Sequence, residues 1–330
     1  MSSPPPVHAW PDLADLPVRP LLGGLINDTY VVGDPPQAVL QRVNPIFPPR
    51  VNEDIEAVTA HVAARGLLTP RLLRTGAGAL CEGPWRMLSW VPGVSHHKLS
   101  DPKLAAEAGR LVARWHRATE DLDHEFVFSR PLAHHTPHHM EVLRIALASH
   151  GGHRLFEQVE ALAMDLFEAW DGWQGSLAQP TRVAHGDLKI SNLRFSEAGE
   201  GLCLLDLDTM GRLPLSVELG DAWRSWCNPA AEDSGETVFS VELFEASARA
   251  YLAESPQPAE VREQLGAGIE RICLELTARF AADALEESYF GWSADVAPTR
   301  GDHNLLRARG QFALARSVIG QRAEIASVLR

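Results

Sequence analysis

The 330 residues show no basic excess. The formal charge is -13 at pH 7, which excludes the broad cationic footprint that nucleic acids or anionic membranes require, although a local basic pocket remains open. Cysteine is scarce: Cys81, Cys203, Cys227 and Cys273 lie far apart, with no CxxC pair, each in or beside an apolar or mixed stretch. Such thiols act as small hydrophobes, so buried, reduced cysteines are expected. No stretch reaches the roughly 18 apolar residues of a membrane span. The start MSSPPPVHAWPDL lacks the basic-then-apolar order of a leader, and a soluble cytoplasmic protein is the expectation. Internal repeats and long heptad runs are missing too, which excludes solenoids and coiled coils. With 45% hydrophobic residues the chain can bury a substantial core.

What is present changes character near residue 92. Residues 1–19 are proline-rich and predict a loose N-terminus, because proline denies the backbone its helical donors. In residues 20–92, LLGGLINDTYVVGDPPQAVLQRVN reads as strands separated by glycine and GDPP turns. RVNEDIEAVTAHVAARG follows as one helix, with Asn52 able to cap it and Gly66 at its end. GALCEGPWRMLSWVPGVS returns to strand until Pro92 and Gly93 break it. Residues 93–330 are mostly long amphipathic helical patterns. The fold class is therefore α+β and bilobal, protein-kinase-like, with a small antiparallel-sheet N-lobe and a large, mainly helical C-lobe.

The chemistry concentrates in VAHGDLKISNLRF. After a short strand, Asp187 is placed to accept a hydrogen bond from a substrate hydroxyl, and Asn192 to give a hard cation an oxygen. A protein-kinase catalytic loop, H-R-D-L-x-x-x-N, has the same interval, with Gly186 here at the arginine position. Fourteen residues beyond Asn192, LCLLDLDT ends in Asp206 and Asp208. Asn192 and Asp206, with nucleotide phosphates, suffice for Mg²⁺, which takes oxygen ligands. Asp208, together with Asp221 and Arg224 of GDAWR, is a candidate for the acceptor side.

The first lobe offers Gly23, Gly24 and Asn27 of GGLINDTY as a turn near phosphates. The strand AVLQRV, where kinases carry a lysine, has none. Arg42, sharing a strand face with Leu40, is the candidate cation, and Gln41 takes its place if the register differs by one. Glu53 or Glu56 on the next helix could pair with it. Backbone groups of residues 89–91, Ser89 and Val91 among them, could read an adenine edge. No A-P-E segment or long loop follows Asp206, so a small hydroxylated acceptor fits better than a protein.

At these residues the chain resembles the aminoglycoside phosphotransferase and choline kinase superfamily, with its H-G-D-x-x-x-x-N. GGLINDTYVV, VLQRVNPIF, LLDLDT, GDAWRSWCNPAAED and the ELTARF, ESYF and DHNLLRARGQFALARS segments look like its N-acetylhexosamine 1-kinase branch, over residues 21–317. The resemblance implies ATP and Mg²⁺ as cofactors and transfer of the γ-phosphate to the anomeric hydroxyl of a hexosamine or related sugar. Asp187 would be the base, and Arg279 and Tyr289 would contact sugar or phosphate. It implies a small sugar-like partner, neither nucleic acid nor membrane, and a monomer or homodimer.

Leu25 stands where the branch commonly has histidine, and His135 where aspartate is usual. Arg279 and Asp283 could instead form an i,i+4 surface pair. Pro137 and the lack of nearby carboxylates oppose a metal site at His134, His135, His138 and His139. Two other readings remain: an aminoglycoside, macrolide or amino-alcohol kinase, whose acidic residues would grip a cation, and a nucleotide-binding pseudokinase or regulatory scaffold, suggested by the missing strand lysine.

Overall fold

Side chains alternate across a strand, so neighbouring residues on one strand serve different lobes. The computed structural model, which describes residues 5–21, 27–130, 132–230, 234 and 237–330, makes this visible. The first lobe contains β1 (Val18–Pro20), β2 (Asp28–Val32), β3 (Ala38–Arg42), helix α1 (Val51–Ala64), β4 (Leu72–Leu73) and β5 (Trp85–Ser89). Its five strands are antiparallel, in the order β1-β2-β3-β5-β4. Across β3 and β5, Leu40 pairs with Met87 and Gln41 with Arg86. Leu40 and Met87 share a fully buried outer face with Val32 and Ala38. Gln41 and Arg86 face the second lobe.

The outer face is covered by the N-terminal segment, which is packed rather than loose from residue 5 onward. Two 3₁₀ turns, Val7–Ala9 and Pro11–Leu13, bring Val7 and Trp10 onto Leu40 and Met87. Trp10 Nε1 donates to Leu73 O at 2.7 Å, and Gly76 N donates to Ala9 O at 2.8 Å. Proline at the start of a short 3₁₀ turn forfeits no needed donor, so this composition does not prevent order. In α1, Ile55, Val58 and Val62 are buried as their spacing predicts. Asn52 lies inside the helix and donates to Pro49 O at 3.0 Å instead of capping.

The second lobe opens with α2 (Pro102–Ala118), whose N-terminus is capped by Asp101, then α3 (Thr136–Ser149) and α4 (Phe156–Asp171). Four short strands follow: β6 (Thr181–Ala184), β7 (Leu193–Phe195), β8 (Gly201–Leu204) and β9 (Gly211–Pro214). They pair antiparallel as β6 with β9 and β7 with β8. Then come α5 (Leu215–Trp226), α6 (Val241–Glu254), α7 (Ala259–Glu286), α8 (Arg300–Gly320) and α9 (Arg322–Leu329). Helix α7 packs against α3, α4, α5 and α8, and α2 against α6. The two β hairpin-like pairs hold the loops after β6 and β8 side by side above α5. Cys203, Cys227 and Cys273 are free and buried, and among the described residues no helix is long and apolar enough to cross a membrane.

Candidate active site

The loop between β6 and β7 carries His185, Gly186 and Asp187. Gly186 has φ +79°, and a Cβ there would come within 2.4 Å of Thr209 O. Glycine replaces the kinase arginine because the neighbouring loop leaves no room for a side chain. His185 joins the two loops: its Nδ1 accepts from Asp187 N at 3.3 Å and its Nε2 donates to Leu205 O at 2.8 Å. One neutral tautomer satisfies both bonds. From below, the Glu218 carboxylate on α5 accepts the His185 and Gly186 backbone N–H groups at 2.7 and 3.0 Å.

Asp187 Oδ2 accepts from Lys189 Nζ at 2.5 Å and from Asn192 Nδ2 at 2.9 Å. Its other oxygen has no donor among the described residues. Burial favours the neutral acid, but Lys189 and Asn192 outweigh it and hold the Asp187 carboxyl below its usual range. Asn192 also donates to Asp187 O at 2.9 Å, so its amide nitrogen is fully engaged with Asp187 and its oxygen is left for another partner. Asp206, across the site, sits in the left-handed region at φ +58°. Burial pushes its carboxyl up, Lys189 opposing and Asp187 and Asp208 adding to the rise. No donor bonds the Asp206 carboxylate among the described residues. Two oxygen donors without partners, one of them a carboxylate in need of positive charge, match what Mg²⁺ takes.

Asp208, a candidate for the acceptor side, lies instead in the interface between the lobes. It pairs with Arg86 through Nη1–Oδ1 and through Nη2–Oδ2 at 2.9 Å, and Asn27 Nδ2 donates to Oδ2 at 2.7 Å. Asn27 Oδ1 in turn accepts from Asn44 N at 2.9 Å, so Asn27 is tied into the protein rather than presented to phosphates. Gly23, Gly24 and Leu25 lie outside the described residues. Arg42 does not reach the site: it is exposed, 3.7 Å from Asp28, because its face of β3 is the one that Leu40 turns toward Trp10. Gln41 is on the inward face, and its Oε1 accepts from Arg86 Nε at 2.9 Å and Nη2 at 2.7 Å. Glu53 pairs with Arg50 and Glu56 with Arg71 and Arg74. The α1 residue that meets the inward cation is Asn52, at 3.5 Å from Arg86 Nη1.

A family model described as the phosphotransferase enzyme family, APH, matches residues 17–263. The chain belongs to that family. A homoserine kinase of Methylobacterium nodulans is 29% identical over 236 residues, covering 67% of this chain and 64% of that protein, less than two thirds of its length. An aminoglycoside phosphotransferase from Alicyclobacillus acidocaldarius superposes with a TM-score of 0.61 at 14% identity, covering 98% of both chains. The amicoumacin kinase hAmiN, solved with AMP-PNP, Ca²⁺ and Ami, superposes with a TM-score of 0.55 at 13% identity, covering 88% of this chain and 87% of that one. The structural neighbours share the bilobal fold.

In this member of the phosphotransferase family, the end of β5 and the two residues after it are partly tied up. Ser89 N donates to Arg71 O at 2.8 Å, its Oγ accepts from Arg71 N at 2.9 Å, and Trp90 N donates to Gln37 O at 3.1 Å. The Ser89 N–H is therefore committed to the sheet and does not serve an adenine. Val91 O accepts from Arg194 Nε at 3.2 Å, which leaves Val91 N–H without a partner among the described residues.

The buried polar cluster continues from Lys189 toward α7. Burial disfavours the Lys189 charge, but Asp187, Asp206 and Asp221 outweigh it and raise its pKa. Asp221 accepts from Arg224 Nε and Nη2 at 3.1 and 2.8 Å, both residues being buried on α5. Beside them His134, rather than His135, points inward: His135 caps α3 by accepting from His138 N at 3.1 Å. His134 Nδ1 lies 3.0 Å from Glu275 Oε1, and Thr136 Oγ1 donates to Glu275 Oε2 at 2.7 Å. Burial opposes the His134 charge, but Glu275 and Asp221 prevail and raise it.

Arg279 lies 5.5 Å over the Phe290 ring and is not paired with Asp283. That carboxylate instead accepts the backbone N–H groups of Ser288, Tyr289 and Phe290 at 2.9, 2.7 and 2.8 Å, and Asn304 Nδ2 at 2.7 Å. Tyr289 is exposed, and its hydroxyl accepts from Arg130 at 3.2 Å. Arg279 and Tyr289 thus flank one aromatic ring.

Sequence reasoning missed Lys189, Arg86, Glu218 and the His134–Glu275 pair. Lys189 had a signal, a cation two residues past the motif aspartate. Arg86 had only the parity of its strand pairing.

Glu218 belongs to a wider buried set. His116 Nδ1 lies 2.8 Å from Tyr251 Oη and its Nε2 lies 3.5 Å from Glu218. Burial pushes the His116 imidazole down to about 4 even though Glu218 pulls it up. In the unfolded chain histidine titrates near 6.5, so the folded protein binds fewer protons below that pH. This contribution to stability is complete above about pH 6.5 and is lost as the pH falls toward 4. Thermal melts across that window are expected to show a falling Tm in the native protein and a shallower fall in His116→Gln. An equal slope in both would place the acid sensitivity elsewhere.

Proposed function

We propose that this phosphotransferase moves the γ-phosphate of ATP to a sugar hydroxyl, the anomeric hydroxyl of a hexosamine or related hexose being the best fit. The observation that carries the reading is the convergence of Asp187, Asn192 and Asp206 with oxygens that lack partners among the described residues. Asp187 would orient the acceptor hydroxyl through its free oxygen and take the proton. Asn192 and Asp206 would hold Mg²⁺, which when bound neutralises phosphate charge during in-line transfer. Lys189, released from Asp187 as the acceptor arrives, would face the transferring phosphoryl group. The AMP-PNP bound by the amicoumacin kinase supports an adenine nucleotide as donor.

The acceptor wall favours an uncharged, ring-bearing molecule. Asp221 and Glu275 each already have an internal cation, Arg224 and His134, so neither is available to grip a polycationic aminoglycoside. The Tyr289 and Phe290 rings with Arg279 offer an apolar platform beside a hydrogen-bond donor, a combination suited to a sugar. A second reading has a specific observation behind it. The homoserine kinase relative and the Arg279 guanidinium, which has no carboxylate partner among the described residues, suit a small hydroxy amino acid held by its carboxylate.

A panel of free hexoses, hexosamines, homoserine, amino alcohols and aminoglycosides, assayed by ADP release with phosphorus NMR of the product, separates the two. Acceptor-dependent turnover confined to homoserine or to the cationic compounds would overturn the sugar assignment. Mg·ATP binding without transfer to any acceptor would favour a pseudokinase.

A further inference from the structure

We propose that Arg86 is a positioning residue for the metal-binding loop, linking the first-lobe sheet to Asp206 through Asp208 without touching nucleotide. This rests on the phosphotransferase reading above, in which Asp206 is a metal ligand. The missing β3 lysine is then not replaced by another phosphate-binding cation on that strand. The inward cation arises one strand over, directly opposite Gln41, and it is directed at a carboxylate.

The geometry separates this role from phosphate binding. A guanidinium has five N–H donors in a rigid plane. Here Nε and Nη2 engage Gln41, Nη1 and Nη2 engage Asp208, and Nη1 also faces Asn52. The side chains of Arg86 and Asp208 are each only 1% exposed, so no open face of the guanidinium remains for a ligand.

Asp208 lies on the 3₁₀ turn Leu207–Thr209, which directly follows Asp206. That residue holds the left-handed conformation at φ +58°, which costs a non-glycine residue free energy and persists only when its surroundings fix it. Two anchors do so: Arg86 with Asn27 grips Asp208 from the sheet side, and Thr209 Oγ1 donates to His185 O at 2.9 Å on the catalytic-loop side. A buried ion pair adds little net stability compared with an apolar pair of equal volume. What a two-point arginine–carboxylate contact adds is orientation, and lysine, a point charge, supplies only part of it.

The test compares the full chain with Arg86→Lys, Arg86→Gln and Asp208→Asn. Three quantities are measured: Mn²⁺ half-saturation by calorimetry in the presence of a non-hydrolysable ATP analogue, affinity for that analogue without metal, and Tm without ligand. Arg86→Gln and Asp208→Asn are expected to raise the Mn²⁺ half-saturation about 10- to 100-fold, the usual effect of removing an outer support of a metal ligand. Metal-free analogue affinity should stay unchanged, and Arg86→Lys should recover part of the loss. If Arg86→Gln does not fold, the lysine and asparagine variants carry the comparison.

Reduced metal-free affinity with unchanged Mn²⁺ dependence would make Arg86 a phosphate ligand and overturn the proposal. So would a change in Tm alone. Wild-type protein that shows no saturable Mn²⁺–nucleotide binding would overturn the phosphotransferase reading and this proposal together. Saturable binding with an unchanged Mn²⁺ half-saturation in the variants would overturn this proposal alone.

Discussion

Asp187→Asn is expected to lower kcat by about 10²- to 10⁴-fold, the usual range for losing a general base. The substitution keeps the size and planarity of the side chain, so the bond with Asn192 can be retained in one orientation of the new amide. What disappears is the capacity of the free oxygen to accept a proton from the acceptor hydroxyl. Because Lys189 and Asn192 hold this carboxyl ionised in the native protein, the proposed base is ready near neutral pH, and the variant should be slow across the whole neutral range. Nucleotide affinity, measured with a fluorescent ATP analogue, should stay close to native. Near-native turnover of the preferred acceptor would show that the proton leaves by another route.

Glu218→Ala is expected to lower stability by about 3–5 kcal/mol, since it removes one member of a buried polar cluster and strands the rest. The His185 and Gly186 N–H groups lose their acceptor in a space closed to water, and His116 loses its neighbour. For a domain of this size such a loss corresponds to a Tm lower by on the order of 10 °C. The measurement that isolates the cause is amide hydrogen exchange. Exchange at 185 and 186 should speed up more than exchange in α7, whose core packing is unaffected. A melting curve matching that of the native protein would mean that another acceptor serves these donors.

The parts of this molecule that depend on short spans were legible in the sequence. Asp187, Asn192 and Asp206 fall on two loops whose flanking strands are short and adjacent, so spacing alone brought them together. The helix at Val51–Ala64 and the strand at Trp85–Ser89 followed from periodicity.

What depended on parity or distant pairing was not legible. Arg42 and Gln41 differ by one position, and the choice between them rests on which face Trp10 covers from more than thirty residues away. Arg86 could be found only by knowing that it stands opposite Gln41, across a pairing that bridges forty-five positions. Asp208 reads as a site residue from its motif, yet a buried arginine draws it to the lobe interface. Asp283 reads as an exposed helix partner of Arg279, but the chain beyond α7 folds back and offers it three N–H donors.

That last arrangement bears on how acceptor preference can change over evolutionary time. Residues 288–290 are held to Asp283 through main-chain N–H groups, which every amino acid except proline provides. These main-chain bonds do not depend on which side chains occupy the three positions, and of the three Phe290 alone packs on the core, its ring 4.4 Å from that of Phe280. On the proposed reading, in which Tyr289 borders the acceptor, selection can exchange this exposed side chain while Asp283 keeps the backbone in place, and the loop after β6, anchored separately on Glu218, need not register the change.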